Sequence, residues 1–422
     1  MKLFGTDGIR GKWGEAPLTE GTLRGLGAAL RALYGAGPVL FVRDTRQSGP
    51  ELTQALAAGL GGEVIDLGVL PTPALSAILA DGTGVGGLVI TASHNPWHDN
   101  GVKVLLPGGR KPSVEQEMLL EEQESAPASN LVTELRMCTV STGLDDYLGM
   151  LQGKLPGLCL RDLKIAVDCA NGAAYQAAPQ ILERLGAKVH AINVEPDGKN
   201  INLDCGAVHP EQLAKVVVEQ GCDLGICLDG DADRCVLIDR NGRILDGDAI
   251  LWLLREAQGV VGTVMSNAAL ERRLGEQGIP FIRAGVGDRQ VAEVLRTKNW
   301  GLGGEPSGHI LVGGGFPSGD GMLTALKCLE RSHDITMELA DWAPDPSKLV
   351  NVRVSSKPDL ALIPGLAQRE DQALSDGATR VLLRYSGTEP KLRVLVEALD
   401  QGSAERLAHS LADFVVAAIA RI

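Results

Sequence analysis

Short apolar runs alternate with amphipathic segments along most of the chain. Apolar runs of this kind are typical of buried strands, and they lie at 39–42, 64–67, 87–90, 163–168, 188–192, 224–228 and 260–265. Most of the segments between them space leucine and alanine as one face of a helix does, and they lie at 18–34, 51–60, 74–79, 179–185, 211–219 and 250–256. Strands that alternate with helices in this way predict mostly parallel α/β sheets.

The pattern changes after the Pro-rich segment 343–347, which we interpret as a linker. Beyond it come three strand-like runs, at 349–354, 381–385 and 392–397, and an amphipathic helix at 404–419. We therefore predict an α/β protein with three similar mixed or parallel-sheet domains and a smaller C-terminal α+β domain around a central cleft. The predicted domains are 1–150, 151–246, 247–345 and 346–422.

Composition and charge exclude several classes of protein. With 422 residues, 44% hydrophobic and 22% charged, the chain has an ordinary globular composition. A net charge of −13 argues against a general surface for nucleic acid or anionic membranes. No apolar stretch approaches the ~20 residues that span a bilayer. The start runs directly into a polar motif rather than a signal peptide, and the eight cysteines form no C-x-x-C pair. We expect a cytoplasmic protein with reduced thiols.

The hexapeptide Thr91–Pro96 follows the apolar run 86–90, so Ser93 is expected just past the carboxyl end of a strand. Open α/β sheets place their chemistry there. A serine hydroxyl needs a base or a metal for activation, and no Gly-x-Ser-x-Gly elbow surrounds this one. Taken alone, the hexapeptide is better explained as a polar turn. Four other glycine-rich polar stretches accompany it, at 4–11, 229–234, 303–309 and 384–390.

Asp229, Asp231 and Asp233 alternate directly after a strand-like run. Such close like charges are costly unless a cation neutralises them, and oxygen ligands select a hard ion such as Mg²⁺. An EF-hand would need glycine and glutamate where Arg234 and Arg240 stand. An aspartyl-nucleophile phosphatase or a solvated acidic turn fits the pattern less well than a metal site does.

The remaining polar stretches offer groups that bind anions or sugars, although each alone is compatible with a structural loop. Arg10 lies among glycines, and a hairpin turn expected at Asn100-Gly101 brings Lys103 near the serine. Glu305, Ser307 and His309 share one loop and suit sugar hydroxyls and proton transfer. A tight turn with two nearby arginines could bind a phosphate through its N–H groups, hydroxyls and positive charges. Its residues are Arg384, Ser386, Gly387, Thr388 and Arg393.

Together these stretches indicate movement of a phosphate between two hydroxyls of one sugar. Such a reaction needs a phosphoryl carrier, a metal and a binding site for the second, nonreacting phosphate.

The chain resembles the α-D-phosphohexomutase family, and within it the bacterial phosphoglucosamine mutase branch. The matching segments are FGTDGIRG, TASHNP with DNGVK, DCANGAAY, GKNINLDCGAVHP, DGDADR, VGDR, GGEPSGHI and RYSGTEPKLRV, which span residues 4–397 in order. The resemblance implies that glucosamine 6-phosphate and 1-phosphate interconvert through a phosphorylated Ser93 and a 1,6-bisphosphate intermediate. The product would feed UDP-GlcNAc and cell-wall synthesis, and a homodimer is possible.

The resemblance also implies roles for individual residues. Ser93 with Asp229, Asp231 and Asp233 would hold one Mg²⁺. Arg10, Lys103 and Arg234 would surround the transferring group, with Lys103 a candidate acid or base and His309 close by. Glu305 and Ser307 would recognise the sugar, with Gly287 and Asp288 of VGDR near the substrate. The distal phosphate would be held by Arg384, Ser386, Gly387, Thr388 and Arg393.

Three departures from the branch bear on the substrate. Tyr385 stands where proline is common, Pro306 is unusual, and the last domain is trimmed around 359–375. A phosphoglucomutase/phosphomannomutase is therefore the nearer alternative. A sugar-phosphate-binding regulator switched by Ser93 phosphorylation is the other.

Overall fold

The computed structural model describes residues 3–5, 7–124, 134–313, 318–386 and 390–420. The chain divides into two compact units: Met1–Met265 with Ile279–Ala340, and Ser266–Gly278 with Asp341–Ile422. Across the described ranges, no helix combines the length and the apolar character needed to cross a membrane.

The first part of the larger unit is built on a mixed sheet with strand order β1-β5-β4-β2-β3-β6. Its elements are β1 (Ile9–Lys12), α1 (Glu20–Tyr34), β2 (Val39–Arg43), α2 (Gly49–Leu60), β3 (Glu63–Val69), α3 (Thr72–Ala80), β4 (Gly86–Ile90), β5 (Asp99–Leu105), α4 (Val114–Glu124), β6 (Arg136–Thr139) and α5 (Gly143–Lys154). Strands β2 and β4 are parallel neighbours. Their carboxyl ends therefore meet at one edge of the sheet.

Helices α1 and α2 form part of the core beside this sheet. Leu23, Leu26 and Leu30 recur at helical spacing in α1 and are fully buried. Gly27 and Gly59 allow the close approach of the two helices, because a Cβ at either position would overlap backbone atoms of the other helix.

The second sheet of the larger unit has strand order β11-β10-β9-β7-β8. Its elements are β7 (Lys164–Asp168), α6 (Ala177–Arg184), β8 (Lys188–Ile192), α7 (Glu211–Gln220), β9 (Leu224–Leu228), β10 (Cys235–Asp239) and β11 (Ile244–Leu245). Strand β9 is entirely buried and pairs antiparallel with β10. The loop 229–234 between them is therefore held at both ends by one hairpin.

A third sheet, ordered β13-β12-β14-β15, completes the larger unit. The elements of this part of the chain are α8 (Gly247–Leu254), β12 (Val260–Thr263), α9 (Ala268–Glu276), β13 (Phe281–Ala284), α10 (Asp288–Lys298), β14 (Leu302–Gly304), β15 (Ile310–Val312), α11 (Gly321–Arg331) and α12 (Ile335–Glu338). Helix α9 follows β12 in sequence but belongs to the smaller unit.

The smaller unit contains an antiparallel sheet ordered β16-β18-β17. Its elements after α9 are β16 (Ser347–Arg353), α13 (Leu366–Ser375), β17 (Ala378–Tyr385), β18 (Lys391–Ala398) and α14 (Gln401–Ile419). One face of α14 and the inward residues of β18 form its core.

The predicted fold class is confirmed: mixed α/β sheets make up the larger unit, and an antiparallel α+β unit ends the chain. The hairpin turn expected at Asn100-Gly101 is wrong. Both residues lie inside β5, opposite Gly11 and Arg10 of β1, and the turn comes earlier, where Asp99 N donates to Pro96 O. Tertiary pairing with β1 thus overrides the local turn preference. The loop expected at 125–130 lies outside the described residues.

Candidate active site

Ser93 lies in the loop after β4, as predicted, with its side chain fully buried. Its backbone φ of 52° falls in the left-handed region, which is costly for a residue with a Cβ. Its N–H donates to Thr91 Oγ1 at 2.9 Å, and its hydroxyl donates to Asp229 Oδ2 at 2.8 Å. The tertiary structure therefore points the serine hydroxyl at the acidic loop.

Asp229, Asp231 and Asp233 are all buried, and one carboxylate oxygen of each lies within 4.8 Å of the others. Ala232 turns the loop with a φ of 56°. Within the described residues, Asp231 Oδ1 is a buried oxygen that accepts no hydrogen bond. Clustered buried carboxylates with an unused oxygen fit a hard divalent cation.

The carboxylates differ in their ionisation. Burial raises the pKa of Asp229 to about 8, and the negative charges of Asp233 and Asp231 add to the shift. Burial also opposes ionisation of Asp233, but the positive charges of Lys103 and His309 outweigh it and hold the pKa of that carboxyl well below its usual range. Asp229 therefore binds a proton more tightly than Asp233 does.

Lys103 projects from β5 into the same cluster. Its Nζ lies 2.8 Å from Asp231 Oδ2, 2.9 Å from Asp233 Oδ2 and 3.0 Å from Asp7 Oδ2. Burial lowers the pKa of Lys103, but these carboxylates outweigh burial and raise it well above its ordinary value. Lys103 is therefore a protonated counter-charge at neutral pH.

Two arginines lie beside the serine loop. Arg10 of β1 donates to Asp7 Oδ2 at 2.9 Å and to Asn95 Oδ1 at 3.2 Å. Arg234 donates its backbone N–H to Asp229 Oδ1 at 3.2 Å. Burial together with the charges of Arg234 and Arg10 lowers the pKa of His94 to about 4, so this imidazole is neutral.

The loop between β14 and β15 supplies the predicted sugar-binding residues. Glu305 Oε1 accepts a hydrogen bond from Gly287 N at 3.1 Å. His309 is buried, with Nδ1 3.4 Å from Asp233 Oδ1 and Nε2 3.7 Å from Asp288 Oδ2. Burial lowers the pKa of His309, but these two carboxylates outweigh burial and raise it. Ser307, by contrast, is exposed.

Several of these groups line a cavity of about 400 Å³ in the larger unit. Its polar lining includes Asp7, Arg10, His94, Asp233, Arg234, Asp288, Glu305 and His309. That volume lies within the range of about 300–1,000 Å³ seen for small-molecule sites. Of the residues predicted for the catalytic and sugar-binding sites, the cavity is lined by Arg10, Arg234, Gly287, Asp288, Glu305 and His309. Ser93, Lys103 and Ser307 do not line it.

The predicted phosphate site lies in the smaller unit, and part of it can be described. Arg384 and Arg393 are opposite each other on β17 and β18. Burial and the positive charge of Arg393 lower the pKa of Arg384. Lys357 Nζ donates to Ser386 O at 2.6 Å and adds a third cation. Gly387 and Thr388 lie outside the described residues.

Comparisons with known proteins identify the family. The four domain models of phosphoglucomutase/phosphomannomutase match in order: α/β/α domain I at 1–129, domain II at 146–242, domain III at 246–348 and the C-terminal domain at 349–414. The chain belongs to the phosphoglucomutase/phosphomannomutase family. The family predicted from the sequence is thereby confirmed.

Relatives of similar length are also found. The chain is 43% identical to the phosphoglucosamine mutase of Methylobacillus flagellatus, over 98% of each chain. It is 44% identical to that of Thermus thermophilus, over 98% of this chain and 97% of the other. A crystal structure of a family protein from Burkholderia thailandensis superposes with a TM-score of 0.77 at 26% identity, over 99% and 97% of the two chains.

Sequence reasoning missed several residues that the structure places in the site of this family member. Asp7 forms ion pairs with Arg10, Lys103 and Lys111. Lys111 Nζ also pairs with Asp288 Oδ2 at 2.6 Å. Thr72 Oγ1 donates to Asp231 Oδ2. The missed residues Asp7, Thr72 and Lys111 come from three separate segments, so no local pattern groups them.

Two further missed residues, Arg46 and Asn202, contact the backbone of the serine loop. For Arg46 a signal existed. The polar run Arg43–Arg46 begins at the last residue of β2, whose carboxyl end meets that of β4 in a parallel sheet.

Proposed function

We propose that the protein is a phosphoglucosamine mutase that interconverts glucosamine 6-phosphate and glucosamine 1-phosphate through a phosphorylated Ser93. The observation that carries this proposal is the 2.8 Å contact between Ser93 Oγ and Asp229 Oδ2. It joins a buried, conformationally strained serine to a carboxylate cluster suited to a divalent cation. The names of the two relatives above support glucosamine as the sugar.

Transfer from phosphoserine to the sugar breaks the bond between phosphorus and Ser93 Oγ and forms one between phosphorus and a sugar oxygen. In the second half of the cycle the other phosphate of the bisphosphate returns to Ser93 Oγ, whose proton must leave. Asp229 Oδ2 accepts the hydrogen bond from that hydroxyl at 2.8 Å, so this carboxylate is placed to receive the proton.

The negative charge on the transferring group needs nearby cations. Arg10 and Arg234 line the cavity and would bind the phosphoryl oxygens. Lys103 instead neutralises Asp7, Asp231 and Asp233. We assign Lys103 to holding these carboxylates together rather than to contact with the sugar.

Asp229, Asp231 and Asp233, with a phosphoryl oxygen on Ser93, would hold one Mg²⁺. When bound, this ion would offset the charge of the phosphoryl group. The unused oxygen of Asp231 supports this assignment.

His309 is the best-placed group to exchange a proton with the reacting sugar oxygen. It lines the cavity, and Asp233 and Asp288 raise its pKa. When neutral, it can take the proton of the attacking sugar hydroxyl, and when protonated it can give one to the sugar oxygen that loses its phosphate. Glu305 would bind the amine or a hydroxyl of the sugar, assisted by Ser307, with Gly287 and Asp288 shaping the wall. Arg384, Ser386, Gly387, Thr388 and Arg393 would bind the distal phosphate, and Lys357 joins them.

A product of this kind supplies amino-sugar nucleotide synthesis, the route to UDP-GlcNAc and cell-wall precursors. We accordingly propose a cytoplasmic location and a hexose 1,6-bisphosphate as activator. A homodimer remains a prediction.

The test is turnover by the Mg²⁺-loaded protein primed with hexose 1,6-bisphosphate. Glucosamine 6-phosphate, glucose 6-phosphate and mannose 6-phosphate are supplied separately, and 1-phosphate formation is followed by phosphorus NMR. We expect glucosamine 6-phosphate to lead by more than about tenfold in kcat/KM, a margin of about 1.4 kcal/mol. Ser93→Ala should abolish turnover, and Ser332→Ala, on a different loop, should leave it unchanged.

A lead for glucose or mannose phosphate would assign the protein to the other branch of the family. Absence of turnover with all three sugars by Ser93-phosphorylated protein would favour the regulator.

A further inference from the structure

The serine loop has a backbone that its own sequence does not favour. Ser93 is at φ 52°, although it is neither glycine nor asparagine. A residue in this region persists only when the surroundings hold it there. The groups that bind the loop backbone therefore decide where the Ser93 hydroxyl points. The inference below rests on the proposed function of Ser93.

Arg46 binds this backbone with its whole guanidinium group. Its Nη2 donates to Ser93 O at 3.0 Å and to Asn95 O at 2.7 Å. Its Nη1 donates to Asp99 O at 2.8 Å and also to Pro96 O. This large residue is only 1% exposed. A single arginine thus connects both ends of the loop.

Asp44 fixes the arginine and the loop together. Its Oδ2 accepts from Arg46 Nε at 2.8 Å and from Thr91 Oγ1 at 2.7 Å. Thr91 Oγ1 in turn accepts from Ser93 N at 2.9 Å. Both the N–H and the C=O of Ser93 are therefore tied, through neighbouring groups, to one buried carboxylate.

Asn202, from the part of the chain that carries the second sheet, binds the same two carbonyl oxygens. Its Nδ2 lies 2.8 Å from Ser93 O and 3.1 Å from Asn95 O. Gly230 of the acidic loop also packs here, since a Cβ on it would lie 2.5 Å from Ser93 O and 2.8 Å from Asn202 Nδ2. The carbonyls of Ser93 and Asn95 are therefore the junction between the serine loop and the acidic loop.

We propose that Arg46 and Asn202 are positioning residues for phosphoryl transfer. Both side chains donate hydrogen bonds to the carbonyl oxygens of Ser93 and Asn95, and these bonds keep the serine oxygen next to Asp229. Stability alone does not require this arrangement, because a buried ion pair is often no better than packed apolar groups. Rate requires it, because a misplacement of about 1 Å can cost about 100-fold in turnover.

The test uses two variants of the full-length, Mg²⁺-loaded protein. Arg46→Lys keeps a positive charge but has fewer donors on a single nitrogen, so it cannot span the loop. Asn202→Gly deletes the amide while tolerating the φ of 57° at this position. Ser93 is first labelled with radioactive phosphate from hexose 1,6-bisphosphate. Transfer from labelled Ser93 to saturating sugar phosphate is then followed in a single turnover, per mole of phosphorylated serine.

We expect each variant to slow this transfer by roughly 10- to 100-fold while changing the KM for sugar phosphate less than about twofold. The matched controls are Arg43→Lys, whose guanidinium pairs with Asp66, and Asn299→Gly, a left-handed asparagine at the end of α10. Both controls should transfer phosphate at the wild-type rate.

Other outcomes separate this proposal from the proposed function. If Arg46→Lys or Asn202→Gly lowers only the yield of folded protein, and labelled Ser93 transfers at the wild-type rate, the residues are structural and the proposal is overturned. If Arg46→Lys does not fold, Asn202→Gly alone decides the question. If wild-type Ser93 takes up no label, the proposed function itself fails.

Discussion

Asp320 is a buried carboxyl group outside the cavity. It caps α11 by accepting from Leu323 N at 2.8 Å, and it accepts a hydrogen bond from Tyr147 Oη. Burial raises the pKa of Asp320 to about 7. The folded protein therefore binds this proton more tightly than the unfolded chain, whose Asp pKa is about 3.9. The resulting stabilisation is fully present below the unfolded pKa and is lost as pH rises through about 7.

Asp320→Asn should remove this pH dependence, because an amide does not ionise but still accepts a hydrogen bond. Between pH 5 and pH 7.5, the unfolding free energy of wild type should fall relative to the variant by about 2–3 kcal/mol. Urea unfolding at a series of pH values measures it. Asp400→Asn is the control, because Asp400 also caps a helix. The hydrogen bond from Ser403 N lowers the pKa of Asp400, so this carboxylate stays ionised throughout the range. Parallel curves for wild type and Asp320→Asn would contradict the expectation.

Left-handed residues other than glycine recur in the loops of the site. Ser93, Ala170, Asn171, Asn202 and Ala232 all have φ between 48° and 57°. Each follows a strand end or faces the serine loop. Conformational strain is thus concentrated where backbone groups must face the reacting centre, which is a recurring property of functional loops.

Helix α9 shows how an element can belong to a unit distant in sequence. Its N-cap residue Asn267 donates to Asp345 O at 3.0 Å and accepts from Asp345 N at 2.9 Å. Arg272 pairs with both carboxylate oxygens of Asp345, and Ala268 N donates to Glu397. The helix is thereby attached to the smaller unit rather than to the sheet that precedes it.

Asn267→Ala should destabilise the smaller unit by about 2 kcal/mol, because it removes a helix cap and the paired hydrogen bonds to Asp345. Hydrogen exchange of amides in α14 and β18 measures this loss. Asn241→Ala, at the exposed turn between β10 and β11, should leave that exchange unchanged. Equal exchange in wild type and Asn267→Ala would mean that other contacts hold the helix.

At the scale of the whole molecule, the carboxylates proposed to hold Mg²⁺ and the cations proposed to bind the distal phosphate lie in different compact units. The larger unit contains the carboxylate cluster and the 400 Å³ cavity. Each unit has its own apolar core. Ligands of different chemistry should therefore stabilise different parts of the chain.

Mg²⁺ at 100 times its dissociation constant should stabilise the larger unit by about 2.7 kcal/mol, because it binds the folded carboxylate cluster. The expected signature is slower hydrogen exchange in β9 and β10, with little change in β17 and β18. Asp231→Asn should remove the effect, and Asp223→Asn, in the same part of the chain but outside the cluster, should retain it. Equal slowing in both units would show that they unfold together.

The sequence alone determined the alternation of strands and helices, the distinct C-terminal unit and the loops that carry Ser93 and the carboxylates. Periodicity and turn chemistry are local, so they can be recognised in short windows. The short strand β1 was missed because four residues that include a glycine give a weak local pattern. Helix α10, which begins within VGDR, was also missed, although Val291 and Leu295 recur at helical spacing.

Only the tertiary structure decided how those loops combine. It directed Ser93 at Asp229 and placed Asn100-Gly101 inside β5. It also brought Arg46 and Asn202 to the same carbonyl oxygens from positions 156 residues apart in sequence. Such contacts depend on how strands pair and sheets pack across long separations, and no local pattern of residues records that information.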